Sequence, residues 1–88
     1  MSNHTPEDAL NSYVDLVRFL ASSLLDEDVE FEVRGQTLRD QLRIELAVEE
    51  SHRGRVIGRG GRIARAMRTL VEAAAVPNHL PVVIDIVD

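Results

Sequence analysis

Three of the chain's five glycines stand within four positions, in the run Val56-Ile57-Gly58-Arg59-Gly60-Gly61-Arg62-Ile63. Glycine gives up more backbone freedom on folding than any other residue. It is therefore kept where φ must be positive or where another backbone must come close. The residues on both sides are patterned as helices, so the run is expected to be a tight turn between two of them. The second helix aims its free amides and the positive end of its dipole at whatever lies over the turn. Arg59 and Arg62 add charge and donors there, and Gly60 removes one more side chain from the approach. The expectation is an anion site built mostly from main chain. A glycine pair at this spacing also suits a plain helix-turn-helix linker, so the surroundings must decide.

The surroundings are unusual in charge. The net charge is −5, which argues against a polyanionic ligand. The distribution reverses that argument. Residues 51–71 carry six arginines (Arg53, Arg55, Arg59, Arg62, Arg65, Arg68) and no acid, a local +6. The other residues carry four arginines and fifteen acids, or −11, which restores the net −5. The Debye length at physiological salt is about 8 Å, so a polyanion on the 51–71 segment feels the local charge most. All ten basic residues are arginine. Arginine forks onto phosphate with fixed geometry, although a GC-rich coding sequence gives the same bias.

Elsewhere the pattern alternates between helix and strand. Leu10, Tyr13, Val14, Val17, Leu20, Ala21 and Leu24 recur at helical steps, predicting an amphipathic helix over residues 6–25. Thr5 is placed as its N-cap and Pro6 at its first position. Thr5 with Asp8 approximates a capping box. Asp26-Glu27-Asp28 reads as a solvated acidic turn. Val29, Phe31 and Val33 alternate with charges as a half-buried strand, and Gly35-Gln36 begins a turn over residues 35–40. Leu42, Ile44, Leu46 and Val48 predict a second strand, antiparallel to the first. Ser51 is expected to cap a short helix ending at Ile57. A long helix follows from Arg62 to about Ala75, with Ile63, Met67, Leu70 and Ala74 on its buried stripe. Residues 76–79 break it, and a last strand runs over residues 81–87. The order is α-β-β-α-α-β.

Size and composition set the class. Eighty-eight residues make one domain, expected over residues 6–88 after a flexible tail of residues 1–5. Hydrophobic residues are 44% of the chain, enough for a packed core. The absence of cysteine removes disulfides, cysteine-bound zinc and thiol catalysis. The start of the chain lacks the basic and apolar segments of a signal peptide. No apolar run approaches the roughly 20 residues that span a bilayer. A cytoplasmic location is expected, and no metal or cofactor.

Two phosphate-binding loops are excluded by residue type. A P-loop needs Gly-Lys-Ser/Thr, which is missing, and no G-x-G-x-x-G register follows a strand directly. Enzymatic constellations are also missing. His4, His52 and His79 lack ligand spacing, Ser22, Ser23 and Ser51 lack a nucleophile's neighbours, and Asp85 and Asp88 read as solvent-facing acids. Tyr13, Phe19 and Phe31 all read as core, which leaves no exposed rings for the stacking platforms of an RNA-recognition-motif sheet or an OB-fold.

The run at residues 56–63, taken with the element order, resembles the V-I-G-x-x-G-x-x-I signature of the KH domain. The order is similar to the type II arrangement, an α+β fold whose three-stranded sheet is packed on one side by three helices. The resemblance spans about residues 7–87 and is nearest to the stand-alone bacterial members of the KhpA type. It implies that Gly58, Arg59, Gly60 and Gly61 clamp the backbone of about four single-stranded nucleotides, RNA or DNA. Ile57 and Ile63 would floor a groove for bases, with Arg55, Arg62 and Arg65 beside it and strand residues 42–47 as the other wall. Relatives often carry lysine where Arg59 stands. The resemblance also implies an RNA chaperone or post-transcriptional regulator linked to cell elongation and division. It further implies a homodimer, and pairing with a larger KhpB-like (Jag or EloR) protein. RNA binding and partner docking both remain open for the same residues.

Overall fold

The computed structural model describes residues 6–74 and 80–87. The order is α1 (Pro6–Leu24), β1 (Phe31–Thr37), β2 (Leu42–Val48), α2 (Glu50–Ile57), a 3-10 turn (Arg59–Gly61), α3 (Arg62–Ala74) and β3 (Val82–Val87). This is the expected α-β-β-α-α-β chain. The sheet order is β1-β2-β3, with β1 antiparallel and β3 parallel to β2. The expected N-cap Thr5 and the break at residues 76–79 lie outside the described residues.

Strand β2 is the centre of the molecule. Leu42, Ile44, Leu46 and Val48 all point to the helical face and are buried. Val17 and Ala21 of α1, Val33 of β1, Val56 of α2, Met67 and Val71 of α3, and Val82 and Ile84 of β3 complete the same core. The opposite face of the sheet carries an ion-pair chain across all three strands. Arg34 lies 3.8 Å from Glu45, Glu45 lies 3.4 Å from Arg43, and Arg43 meets Asp85 at 2.6 Å. Asp85, read from the sequence as a solvated acid, is thus one end of a cross-strand pair.

Several boundaries differ from expectation. The first strand does not turn at Gly35. It continues to Thr37, pairs Gly35 with Ile44, and reverses through Leu38–Gln41, where the Leu38 amide donates to the Gln41 carbonyl at 2.8 Å. Gly35 serves packing instead of turning. A Cβ there would lie 2.6 Å from Val14 Cγ2 and 2.9 Å from Leu10 Cγ, so α1 rests directly on strand backbone. Helix α2 starts at Glu50 with Glu49 as its N-cap residue, which places Ser51 inside the first turn and out of capping position. The buried stripe of α3 is Ala64, Met67 and Val71, one residue round from the expected stripe. Leu70 is left 48% exposed. Both stripes have helical spacing and share Met67, so periodicity alone does not choose between them. Phe19, read as core, faces away from the sheet and is 66% exposed.

Replacing Gly35 with alanine tests the helix-on-strand contact. Overpacking of this kind costs about 1–3 kcal/mol. The Gly35→Ala variant is expected to show a lower urea midpoint with an unchanged slope.

Candidate nucleic-acid interface

The turn between α2 and α3 is left-handed at all three of its glycines. Gly58 has φ 78°, Gly60 φ 64° and Gly61 φ 75°. Gly58 closes α2, its amide donating to the Gly54 carbonyl at 2.9 Å. Its ψ of 170° puts it in a region essentially reserved for glycine. An added Cβ would also lie 2.9 Å from Ile63 Cγ1 and 3.1 Å from the Ile63 nitrogen. Gly60 has open space around it and is required only by its φ.

The amides at the start of α3 are partly committed. Gly61 donates to the Gly58 carbonyl at 3.0 Å, and Arg62 donates to the Arg59 carbonyl. The site is therefore less a main-chain cradle than the sequence suggested. Two of the donors that would face an anion hold the turn itself. By the rule for any helical start, Arg59 and Gly60 have no amide acceptor inside the turn. The positive end of the α3 dipole and the side chains of Arg59 and Arg62 supply the rest. Both arginines are exposed, and among the described residues neither has an acidic partner within 4 Å.

Arg55 and Arg65 are placed differently. Arg55, in the last turn of α2, donates Nη1 to Asp28 Oδ2 at 2.8 Å, and Nη2 to Asp28 Oδ1 at 2.9 Å and to Asp26 Oδ2 at 2.6 Å. The acidic α1–β1 connector is thus a clamp on α2. The bond from Arg55 holds the Asp28 carboxyl below its ordinary range, and the same bond pushes the Arg55 guanidinium up. Sequence arithmetic missed this because Asp26 and Asp28 are far from Arg55 in the chain. Arg65 donates Nη2 to the Gly60 carbonyl at 2.9 Å, inside the loop.

The apolar side of the site is distributed over α2, α3 and β3. Ile57 is partly exposed, and Ile63 is half-buried against the core. The wall expected from residues 42–47 is not available. Strand β2 has a paired neighbour on each side, and Leu42, Ile44 and Leu46 are buried. The edge strand beside α3 is β3. Between it and α3 lies a cleft of about 100 Å³ lined by Arg68, Val71, Glu72, Val82, Val83 and Ile84. Of these, Arg68 and Val71 belong to the arginine-rich segment 51–71. The rest carry no motif and come together only when β3 docks beside α3.

A three-stranded mixed sheet with its helices on one face, and a G-x-x-G turn joining two of those helices, defines a type II KH domain. Comparison with known proteins narrows the class. The chain matches the family described as KhpA/KhpB, KH domain, over residues 14–86, and belongs to it. It is 38% identical over 73 residues to the RNA-binding protein KhpA of Clostridium perfringens, covering 83% of this chain and 97% of that one. It is 37% identical over 75 residues to the RNA-binding protein KhpA of Borreliella burgdorferi, covering 85% and 92%. The RNA-binding protein KhpA of Clostridium acetobutylicum is 40% identical over 72 residues, covering 82% and 96%.

The Asp28 clamp makes stability depend on pH in a stated direction. A depressed carboxyl stabilises the fold fully above its unfolded value near 3.8 and loses that effect as pH falls through the lower folded value. Asp28→Asn is expected to be less stable than the wild type at about pH 7, with the gap narrowing when the pH is taken well below 3.8. Urea midpoints at the two pH values measure it.

Proposed function

We propose that this chain is a non-enzymatic RNA-binding protein that grips the backbone of about four single-stranded nucleotides with residues 58–61. One observation carries the reading. Three positive-φ glycines present the exposed, acid-free Arg59 and Arg62 at the N-terminus of a thirteen-residue helix. The names of the relatives, RNA-binding protein KhpA, support RNA as the ligand. Arg59 and Arg62 take phosphates, and the glycines let the sugar-phosphate chain come close. Ile57, Ile63 and the α3–β3 cleft take unstacked bases. Single-stranded DNA offers the same phosphates. By family resemblance, the role is that of a cytoplasmic RNA chaperone or post-transcriptional regulator linked to cell elongation and division.

The test follows from the geometry of the turn. Gly58 is a poor target, because any side chain there collides with Ile63 and distorts the fold. The Arg59→Ala/Arg62→Ala double variant is expected to lose at least about tenfold in affinity for a short single-stranded RNA. Its log–log salt slope should be smaller by about 1.4, at about 0.7 per phosphate contact. Circular dichroism should be unchanged. Equal binding by wild type and variant would sink the reading.

A second reading has its own observation. Phe19 on α1 and Leu70 on α3, two helices that pack on each other, are large apolar residues left in solvent. They favour a docking surface, for a second copy or for a KhpB-like partner. Light scattering without RNA over a wide concentration range is expected to show a mass that doubles for the wild type and stays monomeric for Phe19→Glu/Leu70→Glu. A strict wild-type monomer that still binds RNA removes self-association and leaves the first reading standing.

A further inference from the structure

The peptide between Gly60 and Gly61 is flanked by glycine on both sides. The two torsions that rotate it, ψ of Gly60 and φ of Gly61, therefore meet no Cβ, and a peptide so placed flips at low cost. The open space around Gly60 adds no steric restraint. Two hydrogen bonds fix one orientation. The Gly61 amide donates to the Gly58 carbonyl at 3.0 Å, and the Gly60 carbonyl accepts from Arg65 Nη2 at 2.9 Å. Flipping the peptide would break both. It would aim the amide at the guanidinium and the carbonyl at another carbonyl.

We infer that Arg65 is a positioning residue that braces the phosphate-binding turn through the Gly60 carbonyl, and is not itself a phosphate contact. The inference rests on the RNA-binding reading above and deepens it. A turn with three left-handed glycines is costly to order when a ligand arrives, since glycine has the most freedom to lose. Arg65 stands one turn inside α3, on a regular helix, so its own backbone is already ordered. Its guanidinium has a planar set of five donors, and donation to a carbonyl holds direction as well as distance. The effect is a turn ordered before RNA binds. Arg59 and Arg62 then act from a fixed base. This separates four of the six arginines of the 51–71 segment by role. Arg55 holds α2 to the acidic connector, Arg65 holds the turn, and Arg59 and Arg62 face the ligand.

Salt dependence and amide exchange together test the assignment. Affinity for a short single-stranded RNA would be measured from about 50 to about 300 mM salt for the wild type, Arg59→Ala and Arg65→Ala. Hydrogen exchange at the Gly61 amide would be followed in the free proteins. Arg59→Ala is expected to reduce the salt slope by about 0.7 and leave Gly61 exchange unchanged. Arg65→Ala is expected to weaken binding about five- to tenfold, the worth of one ordering hydrogen bond, with the slope retained. Its Gly61 amide should exchange several-fold faster. A slope reduced by about 0.7 in Arg65→Ala with Gly61 exchange unchanged makes Arg65 a phosphate contact and overturns the inference. Faster exchange with unaltered affinity overturns it too, because the brace then has no bearing on binding. Failure of the wild type to bind RNA instead removes the RNA reading, while the exchange comparison still decides whether the brace exists.

Discussion

The buried face of β2 is the contact surface on which the other elements depend. Leu42, Ile44, Leu46 and Val48 lie in one buried cluster with side chains from every helix and from both neighbouring strands. The pairing of β2 with β3 is parallel, and a parallel pair cannot be joined by a hairpin. The chain must leave the end of β2, cross the sheet and return to the level of its start. Here the crossover is made of two helices. That length requires a break, and the glycine turn is the break. The same topology puts the turn at the N-terminus of α3 and sets β3 beside that helix. The anion-facing end of the site and its apolar cleft are thus two consequences of one crossover.

Electrostatics decide which of the arginines remain available. By sequence, six positive charges sit in one acid-free segment. In space, Asp26 and Asp28 return to that segment and engage Arg55 through three hydrogen bonds. An arginine at the last turn of a helix also suits the negative end of the dipole, so Arg55 is held twice over. Other acids are absorbed on the far face of the sheet, in the chain from Arg34 to Asp85. Among the described residues, the loop arginines Arg59 and Arg62 meet no acid within contact range. An acidic protein thereby keeps exposed arginines at its glycine turn.

Period-2 alternation was legible wherever one face is fully buried. Residues 42–48 show it without exception, and the strand has those bounds. The end of the first strand is not legible in the same way. Gly35-Gln36 looks like turn chemistry, but the glycine is there to let α1 approach, a reason invisible without the helix. In α3 the spacing of apolar residues was readable and their phase was not. Ile63, Met67 and Leu70 make as regular a stripe as Ala64, Met67 and Val71. The direction in which the turn launches the helix selects the second. The residue type of Phe19 suits a core, but the rotation of α1 leaves it outside. In the site, the glycines and arginines were all visible, whereas the division of labour among the arginines depended on partners distant in sequence.

The sequence by itself determined the elements, their order, the glycine turn and the local excess of arginine. Each of these is encoded by neighbours a few positions apart, through periodicity, backbone freedom or charge. Only the tertiary structure decided that the strand beside α3 is β3 and not β2, because strand order is a property of pairing between distant segments. It likewise decided that Arg55 and Arg65 have structural partners, while Arg59 and Arg62 have no acidic partner among the described residues. A hydrogen bond between residues 27 or 29 positions apart leaves no trace in local pattern, since only the folded crossover brings its ends together.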